Sequence, residues 1–329
     1  MYCYLETESH DPAYNLAFEE YCLQKLTQYN KILLLWQNAN AVIIGRYQNW
    51  QNEVDEEAVR RLGVKVIRRS TGGGAVYHDL GNLNYSFITP APDLATLNLA
   101  TVAAPLLSAL QKMGIQATAQ GRNDIVLDGR KISGTAQSLR RNRLLHHGTL
   151  LFDSDLTMLD TVLRTDPTKL ISKGVKSVRS RVVNIKEHLG WEISLSEFWQ
   201  QLLSALPSMT KVILNQSQLA EIRQLAAAKY ASPDWNQGQE PPGTLSCSKR
   251  FPGGKVEVNL SIAKGRIQNL KISGDFLGLV PISVLEQALI GLPYEKDSAA
   301  AILATLPLNL YLGDISAAEF ISCLFSYSN

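Results

Sequence analysis

A run of three glycines at positions 72–74 begins three residues after a pair of basic residues, Arg68 and Arg69. Because glycine lacks a Cβ atom, its backbone N–H groups can approach a ligand closely and its φ can become positive without steric cost. Such a loop suits an anion, and the neighbouring cations favour phosphate or carboxylate. The same pattern is also typical of a tight turn between two strands with exposed arginines. The loop alone leaves both interpretations open.

Length and composition indicate a globular protein of about two domains. The chain has 329 residues, of which 45% are hydrophobic and 19% charged. No stretch reaches the roughly 18 consecutive apolar residues that a membrane span needs. The first fifteen residues carry acidic side chains where a secretory signal has basic residues and then an apolar run. We therefore expect a cytoplasmic protein without a membrane anchor.

The four cysteines are too widely spaced to suggest a metal site. None of them lies in a CxxC or Cys/His spacing, so the sequence predicts neither a zinc site nor a disulfide framework. They are expected to be reduced structural thiols, and they stand at Cys3, Cys22, Cys247 and Cys323.

Positive charge is concentrated in the middle third of the chain. The net charge is only +2, which argues against a general nucleic-acid binder. Between Arg122 and Arg181, however, twelve Lys and Arg residues stand against six Asp. A basic face of this kind can steer an anionic nucleotide or an acidic protein partner to a cleft. A solvated face with no partner is the alternative.

Helical and strand patterns alternate without βαβ regularity, so an α+β fold is favoured. Asp11 and Pro12 predict a helix start, with the helix over 12–27. Residues 31–46 predict two apolar strands joined as a hairpin through 38–40. Further elements are predicted as strands at 64–69, 75–77, 83–88, 124–127, 131–133 and 148–152, and as a helix at 94–113.

A stretch rich in Pro, Gly, Asn and Gln at 231–244 has the composition of a domain boundary. We therefore predict a catalytic domain over 1–240 and a small α+β accessory domain over 246–329. In the second unit, alternating residues around Lys264-Gly265 predict a hairpin, and helices are expected near 281–290, 296–304 and 315–326. Its charges balance at seven of each sign, which suggests a packing or gating role rather than an anion site.

The segment 121–136 carries the strongest candidate for chemistry. A turn at Asp128-Gly129 places Asp124 and Lys131 on adjacent strands of a hairpin, where both side chains could face one cleft. A hydrated surface lysine is the alternative. Two histidines, His146 and His147, begin an apolar strand, where a structural role is more common than ligand binding. The basic segment 173–185 is expected to form a loop that either folds over a ligand or is a solvated linker.

Five motifs together resemble one family. They occur in the order and spacing of lipoate–protein ligases of the LplA type: IGRYQNWQNEV (44–54), RRSTGGGAVYHDLGNLNYSF (68–87), GRNDIVLDGRKISGTA (121–136), HHGTLL (146–151) and KGVKSVRSRVVNI (173–185). The similarity covers about residues 1–245, and the tail resembles the family's accessory domain. It implies a catalytic domain built like that of biotin ligases, which activates lipoate with ATP and then acylates a lysine of a carrier protein.

The resemblance also implies roles for individual residues. Lys131 matches the catalytic lysine, which contacts both the acyl carbonyl and the phosphate. The implied ATP-binding residues are Arg69, Gly74, Ala75, Val76, Tyr77 and Lys131. The implied lipoate-binding residues are Lys131, Gly73 and His147. Supporting roles fall to Gly72, His78, Asn82, Asp124, Ser133 and Gly134. The adenylate-binding loop is represented by Lys173, Gly174, Ser177, Val178 and Arg179.

The same resemblance names the cofactors and partners to expect. ATP would arrive with Mg²⁺, for which Asp124 is a candidate ligand and no other protein ligand is predicted. Expected partners are lipoyl carriers, namely the lipoyl domains of 2-oxoacid dehydrogenase E2 subunits and the glycine-cleavage H protein. Neither nucleic acid nor a membrane is expected.

Three alternatives have to be weighed. Octanoyl transferases and lipoyl amidotransferases share the fold but form a thioester on a cysteine, and no cysteine lies between Cys22 and Cys247. Biotin ligases carry a GRGRxG-type loop that this chain lacks. A non-catalytic ligand-binding relative is the third alternative, although the chain retains Lys131 and the glycine run.

Overall fold

The structure is a computed structural model that describes residues 2–93, 97–164, 181–238 and 245–326. Within these ranges it has mixed sheets and helices, as an α+β fold requires. The strands are β1 (Tyr2–Glu6), β2 (Ile32–Trp36), β3 (Ala41–Ile44), β4 (Lys65–Arg68), β5 (Val76–His78), β6 (Asn82–Pro90), β7 (Thr118–Gln120), β8 (Asp124–Leu127), β9 (Arg130–Arg140), β10 (Arg143–Leu151), β11 (Met209–Lys211), β12 (Leu245–Phe251), β13 (Gly254–Ala263) and β14 (Arg266–Gly274).

Helices connect and cover these strands. They are α1 (Pro12–Lys25), α2 (Trp50–Glu53), α3 (Glu56–Arg61), α4 (Leu99–Lys112), α5 (Thr157–Val162), α6 (Leu195–Ala205), α7 (Gln216–Leu225), α8 (Pro233–Gln237), α9 (Ser283–Leu289), α10 (Lys296–Leu303), α11 (Leu308–Leu312) and α12 (Ala317–Leu324). A 3₁₀ turn at Ile185–His188 lies between α5 and α6, and a π-helical turn at Ala226–Tyr230 continues α7.

The largest sheet in the described residues has the strand order β11-β1-β2-β6-β10-β9-β8-β7. Strand β2 is buried along its whole length, because its alternate side chains enter cores on the two faces of the sheet. Helices α4 and α6 pack on one face, and α1 and α7 on the other. The predicted start of α1 is confirmed, since Asp11 Oδ1 accepts a hydrogen bond of 2.9 Å from the backbone N–H of Tyr14.

A second sheet has the order β4-β3-β5, and it shows that the predicted hairpin over 31–46 is wrong. Strand β2 pairs with β1 and β6 in the large sheet, whereas β3 pairs with β4 and β5. The residues between β2 and β3 therefore carry the chain from one sheet to the other. Asn38 holds this crossing in place, since its side chain contacts Asn15 and His78. Local sequence cannot reveal those distant partners.

The C-terminal unit, residues 245–326, forms a sheet β12-β13-β14 that is covered by α9 to α12 and has its own apolar core. The predicted turn at Lys264-Gly265 is present, with φ of 51° and 72° at its two residues. The predicted helices agree to within three residues at each end, and α11 is an additional one. The stretch 231–244 is only partly a linker, because it contains α8, capped by Ser232. The domain boundary itself stays a prediction.

The C-terminal unit packs against the loop that carries the three glycines. Tyr47 stacks on Phe276 with ring centroids 5.0 Å apart, and its hydroxyl donates to the carbonyl of Val280 at 2.8 Å. The backbone N–H of Gly73 donates to the carbonyl of Phe276 at 3.1 Å. These contacts place the strands of the C-terminal unit beside the candidate site.

Candidate active site

Lys131 lies at the start of β9, on the hairpin that the sequence predicts. The turn residues Asp128 and Gly129 both have positive φ, 50° and 75°, as a type I′ hairpin turn requires. Across the hairpin, Lys131 Nζ forms an ion pair of 2.8 Å with Asp124 Oδ1, and Arg181 pairs with the second oxygen of the same carboxylate. The expectation that Asp124 and Lys131 meet is therefore confirmed. Only 17% of the Lys131 side chain is exposed, so this lysine lines a cleft and is not a hydrated surface residue.

Gly134 provides the space in which the Lys131 side chain lies. A Cβ atom at position 134 would come within 2.9 Å of Lys131 Nζ and 3.1 Å of Cε. The ammonium is thus held over bare backbone, and any larger residue at 134 would displace it.

Two adjoining compartments meet at Lys131. Both compartments are partly open to solvent, and the empty space that they enclose together with that open part is about 640 Å³ in the first and about 1,010 Å³ in the second. The residues that belong to the walls of both are Ala75, Val76, Lys131, Gly134 and Thr149.

The first compartment combines apolar walls with a polar part. Its apolar lining includes Leu16, Trp36, Ile43 and Ala136, while its polar lining includes Arg69, His78, Asn84 and His147. An apolar pocket with a few fixed polar groups suits a mostly hydrocarbon ligand that carries some polar or polarisable atoms.

A buried hydrogen-bond chain fixes His147 in this wall. His147 Nε2 lies 2.8 Å from the hydroxyl of Thr71, and Nδ1 lies 2.8 Å from Glu19 Oε1. The hydroxyl of Ser86 donates to the same Glu19 oxygen, and Trp36 Nε1 donates to Ser86. His147 thus lines the partly apolar first compartment, which is compatible with its expected role in lipoate binding. Glu19 and Thr71 were missed, because their role depends on pairing across the sheet.

Arg69 is buried and holds the glycine loop, residues 69–75. Its guanidinium donates to the hydroxyl of Thr71 and to the carbonyls of Ile43, Gly72 and Gly74 at 2.6–3.0 Å. Burial lowers its pKa to about 10, with Glu19 opposing that shift. These donors point at the loop and at β3, and Arg69 belongs to the wall of the first compartment and not of the second, so its expected contact with ATP phosphate stays a prediction.

The glycines of the loop divide into two groups. Gly74, Ala75 and Val76 line the compartments as expected. Gly72 and Gly73 instead face the C-terminal unit: a Cβ at 72 would lie 2.5 Å from the carbonyl oxygen of Phe276, and the N–H of Gly73, whose φ is 88°, is bonded there. Their close approach is therefore to other parts of the protein, and the lipoate contact expected of Gly73 stays a prediction.

Three of the residues expected in supporting roles have partners outside the glycine loop. The Nδ1 atom of His78 lies 3.1 Å from the amide of Asn38, and burial lowers the pKa of His78 to about 3, so the ring is neutral. Asn82 donates to Asn84 at the start of β6. Ser133 is buried near the hydroxyl of Tyr85. Each stabilises the strands around the site, and only His78 lines a compartment.

The second compartment has an apolar wall and a cationic wall. Its apolar lining consists of Tyr77, Leu151, Leu159, Leu163 and Val182, and its cations are Lys131, Arg164, Arg181, Arg250 and Lys255. Its carboxylates are Glu53 and Asp275. An apolar surface beside an excess of positive charge suits a heterocyclic base that carries phosphates.

Sequence analysis missed most of these cations. Arg250 and Lys255 come from the C-terminal unit, whose balanced total charge conceals their local placement. The predicted adenylate loop, with Lys173, Gly174, Ser177, Val178 and Arg179, lies outside the described residues. Its continuation at Arg181 and Val182 does line the second compartment.

The site does not supply a protein-based metal centre in the part of the chain that the structure describes. No group of three or more His, Cys, Asp or Glu residues is placed there to hold an ion. Asp124, the candidate Mg²⁺ ligand, already faces two cations, Lys131 and Arg181. A divalent cation next to that pair would be repelled, so Asp124 does not fit this role as arranged.

None of the described helices is long and apolar enough to cross a membrane.

Comparisons with known proteins give a consistent result. Residues 11–207 match the family model of the lipoyl protein ligase A/B catalytic domain, and residues 240–324 match that of the bacterial lipoate protein ligase C-terminus. Lipoate-protein ligase LplJ of Bacillus subtilis is 39% identical over 322 residues, which cover 96% of this chain and 97% of the relative. Lipoate–protein ligase 1 of Staphylococcus aureus is 37% identical over 94% of this chain and 96% of its own.

Solved structures are similar as well. LipL1 of P. falciparum in complex with lipoate has a TM-score of 0.79 at 26% identity, covering 93% of this chain and 95% of that one. A bipartite lipoate protein ligase from Thermoplasma acidophilum, described with its E2 lipoyl domain, has a TM-score of 0.62 at 28% identity over 74% and 98%. Lipoate-protein ligase A bound with ATP has a TM-score of 0.59 at 27% identity over 72% and 98%. The chain therefore belongs to the lipoate–protein ligase family.

Proposed function

We infer that this protein is an ATP-dependent lipoate–protein ligase. It activates lipoate as lipoyl-AMP and transfers the lipoyl group to a lysine of lipoyl carrier domains. The observation that carries this inference is the position of Lys131, whose ammonium lies in the wall shared by an apolar compartment and a cationic one. Solved ligases in complex with lipoate, or bound with ATP, are similar in fold to this chain.

In the first step, a carboxylate oxygen of lipoate attacks the α-phosphorus of ATP. The bond from that phosphorus to the bridging oxygen breaks, and pyrophosphate leaves with the electron pair. Negative charge grows on the oxygens around phosphorus in the transition state, so a fixed cation at the junction lowers the barrier. Lys131 supplies that cation, with the acyl chain in the first compartment and the nucleotide in the second.

In the second step, the neutral amine of a carrier lysine attacks the acyl carbon of lipoyl-AMP. The bond from that carbon to the phosphate oxygen breaks, AMP leaves, and the amine loses a proton. The developing oxyanion on the acyl carbon lies beside Lys131, which can donate a hydrogen bond to it. One lysine therefore serves both steps.

The roles of the neighbouring residues follow from their positions. Gly74, Ala75, Val76 and Tyr77 form the wall along the nucleotide, and His147 and His78 form part of the lipoyl pocket. Asp124 orients Lys131 between the substrates. Mg²⁺ is proposed to arrive as the counter-ion of the ATP phosphates, since Asp124 is already paired.

A transferase that works through a thioester is disfavoured by the placement of sulfur. All four cysteines, Cys3, Cys22, Cys247 and Cys323, are buried in apolar cores, and none belongs to the wall of either compartment. The carboxylate must therefore be activated by another route, and adenylation provides it.

The partners and location are proposed on the same basis. E2 lipoyl domains are the first candidates, because a similar ligase is described with such a domain, and the glycine-cleavage H protein is the second. We propose that residues 1–240 carry both steps, that 246–329 form the accessory domain, and that the protein acts in the cytoplasm.

Isotope exchange tests the proposal most simply. The protein, lipoate and Mg-ATP are incubated with labelled pyrophosphate, and label is followed into ATP. Exchange that requires lipoate supports adenylation. Absence of exchange, or lipoylation of a carrier without ATP consumption, would exclude it.

A further inference from the structure

We propose that Cys247 and Cys323 form a redox-sensitive cross-link, in which an oxidant converts the two buried thiols into a disulfide that ties β12 to α12. The inference does not depend on the ligase chemistry, because it concerns the internal packing of the C-terminal unit. The sequence predicts reduced structural thiols at both positions, and the fold brings these two together from 76 residues apart. The stability of the C-terminal unit thereby depends on the redox state of its surroundings.

The two sulfur atoms are in contact. The Sγ atoms of Cys247 and Cys323 lie 3.8 Å apart. Cys247 is on β12, and Cys323 is on α12, which belongs to the same apolar core. A disulfide bond is about 2.05 Å long, so the sulfur atoms have to approach each other by a little under 2 Å. Rotation about the two Cα–Cβ bonds moves the sulfur atoms on this scale.

Neighbouring hydrogen bonds hold the strand and the helix at this spacing. Lys249 Nζ donates to the carbonyl of Ser322 at 2.7 Å, which joins β12 to α12 beside the two thiols. The hydroxyl of Tyr294 donates to the carbonyl of Leu324 at 2.8 Å, at the end of α12. Both elements are therefore anchored, and the thiols stay in contact in the folded state.

The pair lies on the face of the sheet that the helices cover. The Cys247 thiol donates to the carbonyl of Val258 at 3.8 Å, and the Cys323 thiol donates to the carbonyl of Val256 at 3.6 Å. Side chains three residues apart on a strand point to opposite faces, so Cys247 faces away from Arg250 and from the second compartment. Formation of the disulfide therefore leaves the walls of the candidate site in place.

Cys247 is the thiol that meets an oxidant first. It is 8% exposed and stands on an outer strand of its sheet in the described residues, whereas Cys323 is fully buried. The hydrogen bond with Cys247, together with burial, raises the pKa of Cys323. Little thiolate is present at neutral pH in such a setting, and thiolate is the reactive form. The pair therefore responds slowly to an oxidant.

Hydrogen peroxide is a sufficient oxidant, and the reaction with it balances. The thiolate of Cys247 attacks one peroxide oxygen, the O–O bond breaks, and the leaving hydroxide takes a proton to become water. The thiolate of Cys323 then attacks Sγ of the resulting sulfenic acid, the S–O bond breaks, and a second water leaves. Each sulfur loses one electron, and the two thiol protons end in the two waters. Dithiothreitol reverses the reaction by thiol–disulfide exchange.

The disulfide closes a long loop, so its effect on stability is expected to be large. The constraint that a cross-link places on the unfolded chain grows with the number of residues that it encloses, and here the two ends are 76 residues apart. A disulfide typically lowers the equilibrium constant for unfolding by about 30-fold or more. Oxidation should therefore protect the C-terminal unit from unfolding.

The test uses the full-length Cys3→Ala/Cys22→Ala variant, which retains only the proposed pair. After treatment with hydrogen peroxide we expect a mass lower by about 2 Da, since two hydrogens are lost, and a linked pair of peptides after digestion. Dithiothreitol should restore the original mass. The matched control carries Cys247→Ala in addition, and it cannot form the cross-link within one chain.

Native-state proteolysis gives a second readout. Cleavage within the C-terminal unit should slow by about 30-fold in the oxidised variant and should not slow in the control treated in the same way. Lipoate-dependent pyrophosphate exchange should stay within about twofold, because the pair faces away from the site. A wild-type protein without exchange would count against the ligase function alone.

The remaining outcomes would overturn the inference. Thiols that iodoacetamide modifies in the folded protein, but that peroxide never links, would show that the two sulfur atoms cannot bond. Thiols that react with neither reagent would show that no oxidant reaches them. A cross-link that leaves the cleavage rate unchanged, or that abolishes exchange, would contradict the expected effect on stability or the placement of the pair away from the site.

Discussion

Gly134 lies directly beneath the ammonium of Lys131. The position that a Cβ atom would take at 134 is 2.9 Å from Nζ, which is closer than side chains tolerate. The obstructed atom is the far end of a flexible side chain, so a substitution there displaces the lysine and leaves the strand intact. The absence of a side chain at Gly134 thus determines where the ammonium of Lys131 can lie.

Gly134→Ala is therefore expected to impair turnover without unfolding the protein. Displacement of the ammonium by about 1 Å should lower kcat for adenylation by about 100-fold, because catalysis depends on alignment. Gly190→Ala is the control, since a Cβ there meets no atom within 4 Å. The measurements are pyrophosphate exchange and thermal unfolding. Near-normal exchange in Gly134→Ala would show that adenylation does not depend on the exact position of Lys131.

Lys131→Ala should lower both half-reactions by about 100- to 1,000-fold, the range for loss of one preorganised donor. Asp124 keeps its ion pair with Arg181, so no carboxylate is left without a cation and the Tm should stay close to wild type. Lys112→Ala is the matched control, because Lys112 is exposed and donates to the carbonyl of Ala205, away from the two compartments. A Lys131→Ala protein that lipoylates a carrier domain from lipoate and ATP at a normal rate would refute the assignment.

Arg69→Gln tests whether this arginine positions the loop or binds ATP. Loss of its buried hydrogen bonds should lower the free energy of unfolding by about 3 kcal/mol. The KM for lipoate should rise more than the KM for ATP, because Arg69 lines only the first compartment. Arg61→Gln, on the exposed surface of α3, is the control. A rise in the KM for ATP alone, at unchanged stability, would restore a direct phosphate contact.

Two buried histidines predict loss of stability in acid. Burial lowers the pKa of His146 to about 3, and neither of its ring nitrogens has a hydrogen-bond partner among the described residues. His78 has a similarly lowered pKa. Since the unfolded chain protonates these rings near pH 6.5, it binds more protons than the native state between about pH 3 and 6.5. The stability that these two neutral rings allow is therefore fully present above about pH 6.5. The free energy of unfolding decreases as the pH falls from 6.5 towards 3.

His146→Phe should reduce this pH dependence by up to about 1.4 kcal/mol per pH unit below pH 6. At pH 7 the variant should be as stable as wild type or more stable, because it removes buried polar atoms without partners. Urea unfolding at several pH values checks both expectations, and His10→Gln is an exposed control. A variant with the same pH slope as wild type would show that His146 is not buried as a neutral ring.

Local features of the site could be predicted from the sequence, and long-range ones could not. The Asp128-Gly129 turn joins the two strands of its own hairpin, so the meeting of Asp124 with Lys131 follows from the eight consecutive residues 124–131. The glycine run at 72–74 also predicts that its backbone closely approaches another group. Its partner, the carbonyl of Phe276, lies about two hundred residues further along the chain, and nothing near Gly73 indicates that contact.

The same limit explains the other corrections. The segment at 38–40 has the composition of a hairpin turn, but Asn38 is held by Asn15 and His78 from other elements, and the chain crosses between sheets. Arg250 and Lys255 are ordinary strand cations in sequence. They line the second compartment only because the C-terminal unit packs beside Lys131.

The central claim is that Lys131 stands between an acyl compartment and a nucleotide compartment. A crystal structure with a non-hydrolysable sulfamoyl analogue of lipoyl-AMP tests it most directly. We expect the acyl chain between Trp36 and His147, the adenine against Tyr77 and Val182, and the acyl carbonyl within about 3 Å of Lys131 Nζ. An analogue bound away from Lys131, or with its two halves in the opposite compartments, would contradict the account.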